Sequence, residues 1–458
     1  MGRSISDRRP PVAATFYHRL SNRYYSISSA AIRRHQLDAG GQVLNIMEKP
    51  IAFAIGSGNH AITYVNRTAQ GRLLELPVSW YAKLDGYAMS PGYDRPDHFD
   101  FRREISPSCL FCHSAGPEPA AIDCSRCHGP TEAHLARPLR GNILNPARIT
   151  PQRQLEICLQ CHLETASQGI TDSLRRPGRA VFSFRPGEPL ADYKLYFDRA
   201  DAAANDRIEI NHAGYRLLQS RCYNESAGRM TCTTCHDPHA ASVRAASCIG
   251  CHSRPHANGD CAGCHMPKRI AADAIHTQIT DHKIVLRPAF TEPEREQNTP
   301  YTGPVIGFYT KADSLSLALA NVRQPDTGVY RRYLQRDPDN APLRVALGNA
   351  LLRLKQPRAA IEILIGALRL DPQNSDAMNY LAVAEAVQGN HRKALEILER
   401  AIAGNPDHVM CRINLGITRE ALGNYDAALA DYDEAIRLQP DSAEARHLRH
   451  GILDRLHR

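Results

Sequence analysis

CTTCHDPHAASVRAASCIGCH, residues 232–252, places four cysteines and three histidines in 21 positions. Both ends read Cys-x-x-Cys-His, and a further histidine, His239, follows the first copy by three residues. The pentamer recurs at Cys109-Leu-Phe-Cys112-His113, Cys124-Ser-Arg-Cys127-His128, Cys158-Leu-Gln-Cys161-His162, Cys232-Thr-Thr-Cys235-His236, Cys248-Ile-Gly-Cys251-His252 and Cys261-Ala-Gly-Cys264-His265. These six copies use 12 of the 14 cysteines. Random ordering of the same composition would give about 0.02 such pentamers. Three chemistries compete for the pattern. Disulfides need no histidine after each second cysteine. Zinc sites use paired Cys-x-x-Cys knuckles, but four ligands close the shell and an adjacent histidine is not required. Covalent haem attachment requires it: two thiols three residues apart bond the two vinyl groups, and the next residue offers imidazole to iron. Six covalently attached haems c are therefore the cofactor expected, with the six motif histidines as proximal iron ligands.

The bulk numbers agree with a soluble globular chain long enough for two or three domains: 458 residues, 43% hydrophobic, mean hydropathy −0.41. No apolar run reaches the length of a membrane span. The net charge of +8 alone would suit nucleic acid or an anionic surface. Six ferric haems, each with two propionates, would remove roughly six charges, so nucleic-acid binding is not expected. Haem attachment to thiols takes place outside the cytoplasm, so a periplasmic or otherwise extracytoplasmic location is expected. MGRSISDRRPPVAATFYHRL has no apolar core and is not a signal peptide; the N-terminus is expected to be truncated.

The overall expectation is a mainly α fold with long loops in four parts. Residues 1–100 hold β-branched and aromatic segments between turn dipeptides, such as QVLNIMEKPIAFAIGSG, and read as short strands and hairpins belonging to the cytochrome part. Residues 101–290 carry all six motifs, too densely for a conventional side-chain core, so porphyrin is expected to supply much of the buried apolar area. Gaps of 10, 11 and 8 residues within the motif clusters force neighbouring haems close together. Residues 291–336 read as a linker with a degenerate helical pair.

Residues 337–458 repeat. Asp337-Pro338, Asp371-Pro372, Asn405-Pro406 and Gln439-Pro440 are spaced by 34. The same period relates Leu347, Leu381 and Leu415, the small residues Gly348, Ala382 and Gly416, and two alanine series, Ala360, Ala394, Ala428 and Ala367, Ala401, Ala435. Small residues where two helices cross, with proline after the second, resemble the tetratricopeptide repeat in three full copies. The repeats are expected to fold independently, so that deleting 337–458 would leave the haem region intact.

A six-coordinate haem needs a second axial ligand, and 15 of the 21 histidines lie outside the motifs. His391, His408, His447, His450 and His457, in the repeats, read as surface residues. His60, His134, His212, His239, His276 and His282 are the candidate distal ligands; His18, His35, His98 and His256 are weaker ones. His134 follows His128 by six residues across a Gly-Pro turn, and His239 is placed to reach a haem other than its own. His60 follows a glycine turn that would let backbone approach a porphyrin. Met230 and Met266 are the methionine rivals. Cys411 reads as a small buried residue and Cys222 as a free thiol.

GSGNHAITYV, LPVSWYAK, AMSPGYD, CLFCH, CSRCHGPTEAH, CTTCHDPH and CAGCHMP together resemble the bacterial multihaem c-type cytochromes fused to tetratricopeptide repeats. The haem part of that group is similar to the tetrahaem cytochrome that accepts electrons from hydroxylamine oxidoreductase in nitrifiers. The likeness spans roughly residues 15–285 plus the repeats. It implies that His134 and His239, and with them His60 and His282, are distal ligands to haems other than those of their own motifs. Relatives carry a signal peptide and one more haem motif before the TFYH segment; this chain has neither, which would leave His18 without its haem. The function expected is electron transfer through six haems, with redox partner proteins meeting a haem edge and the repeat groove, and no catalytic residues. The alternatives are an oxidoreductase reducing a small nitrogen or sulfur oxyanion at one open-coordinate haem, and a repeat scaffold with structural haems.

Overall fold

The computed structural model describes residues 5–6, 13–56, 58–139, 141–164, 170–171, 173–201, 206–240, 242–244, 248–252, 261–286, 292, 301–321 and 326–456. His256 and His457 lie outside the described residues. Among the described residues no helix is long and apolar enough to cross a membrane.

The first hundred residues are more ordered than isolated hairpins. Ala14–His18, Arg23–Ile27, Ala31–Leu37 and Val43–Pro50 form a four-stranded antiparallel meander. Phe53–Ile55, Ala61–Arg67, Leu73–Tyr81 and Gly86–Met89 form a second, which Ile5–Ser6 extends at its edge. Period-two burial explains the pairing: Arg23, Tyr25 and Ile27 face inward, while Tyr24 and Ser26 alternate outward. The two sheets share one core, in which Tyr25, Ile27, Ile32 and Met47 meet Tyr64, Leu76, Val78 and Met89. Gly56, at φ +120°, stands where a Cβ would lie 2.4 Å from the Ala61 carbonyl oxygen. Its close approach therefore serves its own hairpin. The architecture is thus mixed α and β rather than mainly α.

The Cys-x-x-Cys-His motifs fall on helical turns or at helix ends, where proline, glycine or a loop stops the helix. The first motif ends the Pro107–His113 helix, the third ends the longer Pro151–His162 helix, the second, fourth and sixth occupy Ser125–His128, Cys232–Cys235 and Cys261–His265, and the fifth is a turn closed by His252 N–H on the Cys248 carbonyl. The region also has a side-chain core of its own. Phe111, Leu155, Leu159 and Leu163 pack with Phe184, Leu190, Tyr193, Tyr196, Tyr215 and Leu217, so the 69 residues between the two motif clusters supply the apolar groups that the clusters lack. Lys194–Arg199 is the central strand of a three-stranded sheet, flanked by Ser173–Arg175 and Val305–Phe308. The segment read as a linker thus contributes a strand to the sheet between the two motif clusters, and its helices Ser314–Ala320 and Thr327–Arg336 lead into the repeats.

The repeat helices pair as Ala341–Arg353 with Pro357–Leu370, Ser375–Val387 with His391–Gly404 and Val409–Ala421 with Tyr425–Leu438, closed by Ala443–Leu456. The N-caps keep the period: Asn340, Asn374, His408 and Ser442 each accept a hydrogen bond from a backbone N–H three residues on. His408 is therefore no surface residue. It is buried, and its Nε2 lies 2.9 Å from Asp376 Oδ1. At the helix crossings a Cβ on Gly348 would meet Leu364 at 2.5 Å, and one on Gly416 the Tyr432 ring at 2.4 Å. Gly→Ala inside a helix ordinarily stabilises by about 0.5–1 kcal/mol. Gly451, with nothing within 4 Å of its missing Cβ, should follow that rule, whereas G416A should instead lose about 1–3 kcal/mol through overpacking. Equilibrium denaturation of the two variants gives the signs.

The repeats do not stand apart from the rest of the chain. Val409, Ile413, Ala435, Leu438 and Ala445 belong to the same buried cluster as the two N-terminal sheets. Fully buried Arg34 donates to the carbonyls of Arg437 (3.2 Å) and Leu438 (3.0 Å), the end of a helix where unpaired carbonyls concentrate partial negative charge. Lys49 pairs with Asp407 and Arg23 with Asp441, equivalent positions of successive repeats. Asp100 lies beneath this seam, 2.8 Å from Arg23 and 3.3 Å from Arg34, and accepts from the Tyr25 hydroxyl at 2.7 Å. Independent folding of residues 337–458, expected from their periodicity, gives way to a shared core and a buried ion network.

Candidate functional site

A helical turn puts residues i and i+3 on one face, so both thiols of a Cys-x-x-Cys turn point the same way. The hydrogen bonds show that geometry directly. His128 N–H closes on the Cys124 carbonyl at 2.9 Å and His252 N–H on that of Cys248 at 3.0 Å. All 12 motif cysteines are unbridged and partly or well exposed. Burial holds His113, His162 and His282 below the usual imidazole range, in the neutral form that ligates a metal.

The second ring nitrogen decides whether an imidazole is oriented for a metal. His128 Nδ1 donates to the Leu144 carbonyl at 2.8 Å and His265 Nδ1 to that of Val285 at 2.7 Å. His282 Nδ1 donates to the Thr280 carbonyl at 3.0 Å. His134 Nδ1 lies 3.0 Å from Asn142 Oδ1. A carbonyl only accepts, so in each case Nδ1 carries the proton and Nε2 keeps its lone pair.

Two pairs of rings then face each other across the fold. His128 and His239 stand 6.0 Å apart between ring centroids with planes 7° apart. His236 and His282 stand 6.1 Å apart at 27°. Metal–imidazole bonds of about 2 Å to one shared ion would put ring centres about 6 Å apart, so each pair has the centre-to-centre spacing of two imidazoles that could hold one metal. In each pair one partner is a motif histidine. Among the described residues no cluster of three His, Cys, Asp or Glu groups forms a metal site by itself.

The remaining candidates have other surroundings. His60 is exposed on the turn before Ala61–Arg67. His212 is buried with Nε2 3.0 Å from Glu209. His276 Nε2 lies 3.2 Å from Asp94, which also meets His18 Nε2 at 3.0 Å. His98 is buried with its Nε2 3.0 Å from Asp100, and His35 stacks on Tyr24. Asp94 and Asp100 escaped the sequence reading, because single aspartates in a loop carry no periodic or spacing signal. Cys411 is fully buried and its thiol is pushed up to about 12 by burial; Cys222 is half-buried and unbridged.

Two tetratricopeptide-repeat family models match the chain, over residues 345–409 and 381–452. No curated protein matches it. Among solved structures it is similar to the crystal structure of MamA (25% identity over 28% of this chain and 81% of that one, TM-score 0.25). It is also similar to the first tetratricopeptide-repeat domain of human RPAP3 (24% identity, 26% and 94%, TM-score 0.25). A third likeness is to YrrB, described as a repeat protein with an unusual peptide-binding site (27% identity, 27% and 64%, TM-score 0.26). The helical pairs at the C-terminal end of this chain are tetratricopeptide repeats, a fold used for protein–protein interaction.

Proposed function

We propose that the chain is an extracytoplasmic electron-transfer protein in which six Cys-x-x-Cys-His turns hold covalent haem c. The observation that carries this reading is the pairing of His239 with His128 and of His282 with His236, since a motif histidine facing a distant imidazole is the arrangement of a six-coordinate haem. Bound haem would supply one-electron exchange at iron. The chain's own residues do the rest. The cysteine pairs fix each macrocycle, the carbonyls of Leu144, Val285 and Thr280 orient the imidazoles, and His134, its Nδ1 likewise held, is the next distal ligand. Two imidazoles at the second and at the fourth motif would leave no open position on a metal held there, which favours electron carriage over catalysis at those two sites. The repeats serve protein interaction, with a redox partner as the binding protein. Export from the cytoplasm follows from the thioether chemistry.

H239A and H282A test the reading. Each variant should keep six haems by intact mass and convert one low-spin ferric haem to high spin in the electron paramagnetic resonance spectrum. Unchanged spin states in both variants would count against these residues as ligands; protein without haem would end the proposal.

A further inference from the structure

We infer that Asp281, gripped by Arg216 and Arg269, is a positioning residue for His282 and holds its imidazole opposite His236 of the fourth motif; this rests on the haem reading above. His282 Nδ1 donates to a carbonyl two residues back, that of Thr280, at 3.0 Å. A bond so local sets the ring against its own backbone, and something else must set that backbone against the fourth motif. The preceding residue does so. The Asp281 carboxylate is buried and accepts from Arg216 through both oxygens, Nε to Oδ1 at 2.8 Å and Nη2 to Oδ2 at 2.6 Å. Arg269 Nη1 adds a bond at 3.0 Å and the Lys283 N–H another at 2.9 Å. The Asp281 N–H donates to the Pro267 carbonyl at 3.0 Å, just past the sixth motif. A two-pronged guanidinium–carboxylate contact fixes orientation as well as distance. Asp206 braces the same cations from the other side, accepting from Arg216 at 2.9 Å, Arg269 at 3.2 Å and Lys283 Nζ at 3.2 Å.

Arg216 ties this clamp to the motif that His282 faces. It lies on the helix Ala213–Leu218, whose Tyr215 and Leu217 belong to the core around Leu155 and Leu159; Cys232 of the fourth motif packs against that same core. Gly214 of this helix sits so close to the Pro151–His162 helix that a Cβ there would lie 2.6 Å from the His162 carbonyl oxygen. The path is continuous: Cys232, the apolar core, Arg216, Asp281, His282, and across 6.1 Å to the His236 ring. His239 is held otherwise, on an exposed turn in which the Asp237 side chain accepts from the His239 and Ala240 N–H groups at 2.9 and 3.1 Å. A ligating ring must stay within about 0.5 Å of its productive place, and removing an outer partner of a metal ligand typically weakens the metal bond about 10–100-fold.

The test uses the matured full-length protein, with cyanide as competitor for the iron position that His282 would fill. D281N should keep six haems by intact mass, convert one ferric haem partly from low to high spin, and bind cyanide at that haem about 10–100-fold more tightly than wild type. R216K keeps the positive charge but loses the two-pronged contact; it should shift cyanide binding the same way by less, and it carries the test where D281N fails to mature. K283A removes a cation of the network without removing a bond to the Asp281 carboxylate, and should match wild type. D281N and R216K with wild-type spin state and cyanide affinity, even if they melt earlier, would overturn the positioning role while leaving the haem reading and its H282A result intact. If H282A itself leaves every haem low-spin, His282 is not the ligand and the inference falls with it; a haem-free wild type overturns both.

Discussion

Ending the chain at residue 336 should leave a protein that aggregates or melts far below the full-length form. Val409, Ile413 and Leu438, with Ala435 and Ala445, complete the core of the two N-terminal sheets. Re-exposing a buried aliphatic side chain costs about 1.5–3 kcal/mol, so losing several at once approaches the whole stability of a domain, about 5–15 kcal/mol. The truncation also strips Arg34 of its helix-end carbonyls and Arg23 of Asp441, leaving buried guanidinium groups undercompensated. Size-exclusion chromatography and thermal melting of 1–336 beside the full chain check this. A soluble monomer with an unchanged melting temperature would show that the seam contributes little.

Asp100→Asn should cost about 3–5 kcal/mol, the usual penalty for removing one partner of a buried ion pair. The asparagine keeps the shape but leaves Arg23 and Arg34 facing each other without the intervening charge. Burial alone would raise the Asp100 carboxyl, but the hydrogen bond from His98 and the charges of His98, Arg23 and Arg34 outweigh it and hold the group well below the usual carboxylate range. The sign in pH follows. A depressed carboxyl contributes stability that is complete above about pH 4, its unfolded value, and is lost as pH falls through the folded value. Urea denaturation of wild type should therefore weaken on acidification below pH 4, and the Asp100→Asn protein, already weaker at neutral pH, should show a smaller acid loss. Equal acid slopes would remove Asp100 from the account.

The legible parts of this fold are those whose constraint lies close in sequence. A tetratricopeptide crossing needs a small residue every 34 positions, and Gly348, Ala382 and Gly416 state it plainly; the caps Asn340, Asn374, His408 and Ser442 repeat it, although His408 looks like a surface histidine until its place in that series is noticed. Cys-x-x-Cys-His is readable because two thiols must share one helical turn. The sheets were readable only as strands: alternation marks Arg23–Ile27 as half-buried, but nothing local says that Arg34 will end beneath the Tyr425–Leu438 helix. The same holds for the histidine pairs. His239 and His128 are separated by 111 positions, and only the folded chain shows that they face each other, or that His212 turns instead to Glu209 and His276 to Asp94. The side-chain core of residues 101–290 carries no local signal, because Phe184, Tyr193, Tyr196 and Tyr215 are scattered between the two motif clusters without a period that marks them as one core.

Intact mass spectrometry of the denatured protein, after expression in a host that exports and matures c-type cytochromes, tests the central claim most directly. A mass above that of the polypeptide by six haems, surviving denaturation because the bonds are thioethers, is the expected result. A bare polypeptide mass, or zinc released on unfolding from the same cysteines, would contradict it.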